Sequence, residues 1–79
     1  MTTEESKVPP RVLDLVKEFL TFRGEAHTRD NEVNVLRLLV IFTTKDLKDG
    51  TCPNPGLAVT NLEWFKLRLD ELGAGEVRA

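Results

Sequence analysis

Cys52 and His27 are the only cysteine and the only histidine of the chain, and they are the one thiol–imidazole pair the sequence can supply. Such a pair becomes a nucleophile and base only when the imidazole can take the thiol proton. Cys52 precedes Pro53 in a run of turn residues, and no activating motif surrounds it. Ser6 is the single serine and lies in a polar leader, tyrosine is absent, and no Gly-rich phosphate loop occurs. The 13 carboxylates read as solvated helix-surface groups. A lone cysteine excludes an internal disulfide. A lone histidine leaves any zinc site to be completed by carboxylates. The sequence therefore reads as a non-enzyme without cofactor or metal.

The cations define a second chemistry, phosphate binding. Lys and Arg are interspersed with acids and the formal net charge is −2, which disfavours non-specific nucleic-acid binding. The run GLAVTNLEWFKLRLDELGAGEVRA is nonetheless similar to the recognition-helix end of winged-helix regulators, through Arg68, Leu69, Leu72, Gly73 and Val77. That resemblance implies a small helix-turn-helix or winged-helix DNA binder. Its contacts would be Lys66 and Arg68, with Lys45 and Lys48 from the preceding helix. Glu63, Asp70 and Glu71 share the segment and would repel phosphates, and no two-stranded wing is expected. This is the alternative reading.

The third chemistry is apolar contact. In TNLEWFKLRLDELG the stripe Leu62, Phe65, Leu69 and Leu72 suits a core, while Trp64 and Leu67 lie off it. Arg68, four residues on, could lie over the indole. Trp and Arg concentrate at the energetic centres of interfaces. The edge can be taken up by the core, by another copy of the chain, or by a different protein. Trp64, Leu67 and Arg68 are the candidate interface, with Phe22 as an outlier from the first helix. The stretch LVKEFLTFRGEAHT resembles the LisH dimerisation motif, through Phe19, Leu20, Gly24 and Thr28. Glu25 and Glu32 stand where that family has an aromatic and an apolar residue. The resemblance implies a helix-stop-helix hairpin and self-association.

These residues must be positioned by elements. Pro9 and Pro10 open a first helix whose apolar residues cover one half of the wheel, and Gly24 stops it. Asp30 or Asn31 is the expected cap of a second helix. That helix is apolar over more than half its circumference, with a polar strip of Asn34, Arg37, Lys45 and Lys48 interrupted by Ile41. DGTCPNPG reads as a rigid loop. Thr60 and Glu63 then form a capping box. All three helices finish at glycine. The expected fold is an all-α compact three-helix bundle, with helices at 10–23, 31–48 and 61–72. The β-branched run also permits an α+β alternative with residues 35–44 as a strand.

At 79 residues the chain makes one domain, over 9–73, between a flexible tail at 1–8 and a loose tail at 74–79. A core this small commonly needs a supplement, and self-association is the easiest one available. The function expected is a small non-enzymatic interaction or regulatory module acting through an apolar helical surface as a homodimer. Its partners would be itself, another protein or both. No run is long enough for a membrane span. The leader is acidic and polar, unlike a secretory signal. A cytoplasmic protein, or an intracellular viral or phage protein, is expected.

Overall fold

The computed structural model describes residues 6–74 and shows an all-α three-helix bundle. Its helices are α1 (Pro10–Arg23), α2 (Arg29–Asp49) and α3 (Pro55–Glu71). Among the described residues there is no strand, and 35–44 lie wholly inside α2, so the strand alternative is excluded. The remainder of the expected tails, residues 1–5 and 75–79 with Val77, lies outside the described residues.

α1 has the expected bounds. Its core stripe is Val12, Val16 and Leu20, at spacing i, i+4, i+8, and Pro10 occupies the first turn where no N–H is needed. Each helix closes with a residue in the left-handed region, which glycine enters without a Cβ penalty. Gly24 has φ 72°, and its N–H bonds Thr21 O while Glu25 N–H bonds Leu20 O. These are the paired bonds of a Schellman stop. The same pattern recurs at Gly50 and Gly73.

Two helix starts differ from the sequence reading. α2 begins at Arg29 rather than 31, because Thr28 and not Asp30 or Asn31 is the cap. The Thr28 hydroxyl oxygen accepts from Asn31 N at 3.2 Å. The Asn31 amide instead donates to Ala26 O at 2.8 Å, tying the link to the helix. α3 begins at Pro55, six residues before the expected 61. Asn54 Oδ1 accepts from Leu57 N at 3.1 Å, so NPG is a cap, a first-turn proline and a tolerated glycine. Thr60 is therefore an interior residue. Its hydroxyl donates to Gly56 O at 3.1 Å and forms no capping box with Glu63.

The core is concentrated at one end of the hairpin formed by α2 and α3. It joins Val8, Val12, Val16 and Leu20 to Val33, Val35 and Leu36 of α2 and to Phe65 and Leu69 of α3. All fully buried residues of α2 lie between Glu32 and Leu36. Beyond Val40, α2 pairs with the start of α3 and keeps only Thr43 and Leu47 half-buried.

Candidate functional site: the outer edge of α3 and the exposed apolar residues

The edge singled out by the sequence, Trp64, Leu67 and Arg68, lies on α3 between Asn61 and Glu71. The segment leading into α1 lies along it. Arg11 Nη1 donates to Asn61 Oδ1 at 3.0 Å. Ser6 Oγ donates to Glu71 Oε1 at 2.6 Å, and Lys7 N donates to Glu71 Oε2 at 2.9 Å. Residues 6–11 thus run from the end of α3 back towards its middle, past Arg68 and Trp64. Val8, between those anchors, is 3% exposed. Residues 6–8, which the sequence assigned to a flexible tail, are docked.

Trp64 and Leu67 are half-buried and pack against the core cluster. Of the three ways the sequence left open for this edge, packing against the core is the one seen for Trp64. Arg68 reaches Glu32 of α2, with Nε to Oε2 at 2.7 Å and Nη2 to Oε1 at 3.4 Å. Its Nη1 donates to Glu71 Oε1 at 3.1 Å. The fork-shaped guanidinium fits a carboxylate through both oxygens, which an ammonium cannot match. The Glu32 hydrogen bond, opposed by burial and assisted by Glu71, raises the Arg68 pKa further above its ordinary value. His27 Nε2 lies 3.4 Å from Glu32 Oε1.

Glu32 is only 5% exposed, so one of the carboxylates read as solvated surface is in fact interior. The signal was available in the spacing. Glu32, Val35, Leu36 and Leu39 form one i, i+3, i+4, i+7 stripe, and Glu32 occupies its first position. An apolar residue is the usual occupant of such a position, and this chain has a buried ion pair there.

Glu71 has opposing influences. Burial pushes its carboxyl up. The Ser6 hydroxyl, the Lys7 amide and the Arg68 guanidinium outweigh that and hold it below the ordinary glutamate range. The docked segment itself is close to balance. Burying Val8 contributes about 1.5–2 kcal/mol. The bonds Ser6–Glu71, Lys7–Glu71 and Val8–Ser6 add about 1 kcal/mol each. Ordering the backbone costs about 1–2 kcal/mol for each of the three residues from Ser6 to Val8, so gain and cost nearly cancel.

The large apolar side chains most open to water lie elsewhere. Phe22 is 85% exposed, Ile41 57% and Phe42 50%, and Leu15, Leu57 and Val59 are between 40% and 48%. Ile41 lies on the polar strip of α2 between Arg37 and Lys45, with Phe42 beside it and half-buried Leu38 one turn back. The sequence reading placed Ile41 as the interruption of that strip, but assigned the interface to Trp64.

Of the four cations named for DNA contact, Arg68 is held by Glu32 and Glu71, and Lys45 Nζ pairs with Asp49 at 3.0 Å. Lys48 and Lys66 are exposed. Cys52 and His27 lie just beyond opposite ends of α2, whose 21 residues span roughly 30 Å. They cannot act as a pair within one chain. Among the described residues no group of three or more His, Cys, Asp or Glu could hold a metal, and no helix is long and apolar enough to cross a membrane. An open depression of about 460 Å³ beside α2 is lined by Arg29, Asp30, Asn34, Arg37 and Gly73. Arg29 Nε is spent there on Leu72 O at 2.9 Å, which fastens the end of α3 to the start of α2.

No family model, curated protein or solved structure matches this chain.

Proposed function

We propose that the chain is a small non-enzymatic interaction module that works through an apolar helical surface and self-associates as a homodimer. The observation that carries this reading is the exposed pair Ile41 and Phe42 on α2, beside half-buried Leu38. Scattered single apolar side chains need no explanation, but a contiguous group with a polar rim marks a contact surface. Arg37, Lys45 and Lys48 supply such a rim. Phe22 remains a candidate contact, because it is the most exposed large apolar side chain described. Trp64, Leu67 and Arg68 are assigned a primarily structural role.

The small core favours a second copy as the partner, since association would cover surface that three short helices leave open. Light scattering over a concentration series tests the proposal. The expected result is a mass of two chains that falls to one on dilution. Ile41→Ser with Phe42→Ser should shift that transition to higher concentration, and should leave thermal stability nearly unchanged only at dilutions where the parent is itself a monomer. A monomer at every concentration would end the homodimer reading, and the Ile41–Phe42 surface would then be assigned to a different protein.

A further inference from the structure

We propose that Ser6–Val8 is a displaceable strap which, fastened by Glu71, masks the Trp64–Leu67 edge of α3. Four observations carry the inference. Both oxygens of the Glu71 carboxylate are used on the segment, one by the Ser6 hydroxyl and one by the Lys7 amide. The Ser6 oxygen also accepts from Val8 N at 3.1 Å, so the three residues dock as one unit. Val8 is buried in the core cluster against which Trp64 and Leu67 pack. Pro9 and Pro10 follow at once, so φ is fixed there and α1 starts in place whether or not the strap is closed.

Opening therefore needs no helix to unfold. It would uncover Trp64 and Leu67, an apolar pair beside the Arg68 guanidinium. Its near balance of gain and cost lets the strap open and close while the three helices stay folded. Glu71 is the fastening point. The charged groups around it are Arg68 on α3 and, through Arg68, Glu32 on α2 and His27 of the link; the strap contributes Lys7. Protonating Glu71 removes its charge and turns one of its two accepting oxygens into a donor, which weakens the pair of bonds that hold the strap, so acid should open it. This inference does not rest on self-association.

Trp64 is the only tryptophan, so acrylamide quenching of its fluorescence reads the edge in the full chain. Glu71→Gln should raise the open-to-closed ratio roughly 10-fold. Faster quenching is expected, with helical circular dichroism unchanged and the Lys7 amide resonance moved to its random-coil position. If Glu71→Gln loses helix, Ser6→Ala decides, because it removes one exposed hydroxyl and no core contact. Faster quenching in folded Ser6→Ala supports the strap. Quenching equal to the parent in either folded variant overturns it.

Discussion

A buried carboxylate is safe only while its partner stays. Glu32 is such a group, and Arg68 is its principal cation. Truncating Arg68 would leave the buried Glu32 carboxyl with only His27 Nε2 at 3.4 Å, and losing the main partner of a buried pair costs about 3–5 kcal/mol. Arg68→Ala should fall near 3 kcal/mol in urea unfolding, because the Arg68 side chain keeps 22% exposure and water can reach the site. Glu32→Gln should cost less, since a neutral amide can still accept from the guanidinium. Glu71 makes the matching prediction for pH. Its folded pKa is depressed, so its contribution is complete above the unfolded value near 4.3 and is lost as pH falls through the lower folded value. Acid titration of unfolding stability should show this loss in the parent, and Glu71→Gln should remove that component. The sequence carried Glu32's place on a buried stripe. The pairing with Arg68 was not legible, because it joins residues 36 positions apart and depends on how α2 and α3 cross.

Helices end more legibly than they begin in this chain. The three glycine stops follow from a backbone conformation that one residue type adopts freely, so they could be read without tertiary information. Gly50→Ala should cost about 1–2 kcal/mol by thermal or urea unfolding, from the left-handed backbone alone. A Cβ there would meet nothing within 4 Å, so no steric term is added. The starts were harder. Several residues in each link can cap, and Thr28 and Asn54 prevailed over Asp30, Asn31 and Thr60. PNPG reads as loop by composition, yet Pro55 stands in the first turn, where a helix accepts proline best. Asn54→Ala should lower stability by about 1 kcal/mol, with the helix signals of 55–58 in an NMR spectrum weakening first.

At the scale of the molecule, the sequence shows a surplus of apolar surface on two helices, the off-stripe edge of α3 and the wide apolar circumference of α2. For the off-stripe residues of α3 the sequence leaves the core, a second copy and a different protein open. The chain entering α1 docks at the end of α3 and adds Val8 to the core they pack against, and a wheel drawn for one helix contains no information about a segment arriving from some 60 residues away. The surplus lies on α2, whose length exceeds that of the 14-residue α1 by seven residues. Trp64→Ala should therefore behave as a core truncation, lowering stability by about 3 kcal/mol in denaturant unfolding. The Ile41 and Phe42 substitutions should instead act on association. Loss of association without loss of stability in Trp64→Ala would reverse this assignment.

The one-sided burial of α2 has a consequence for time rather than structure. Amide protons near Val35 and Leu36 sit in the only densely packed stretch of the helix, and they should exchange with solvent only when the whole domain opens. Those after Thr43, close to the Gly50 stop, can be released by separating the hairpin tip alone. A single continuous helix would then show a graded clock, with lifetimes falling steadily from its first turns to its last.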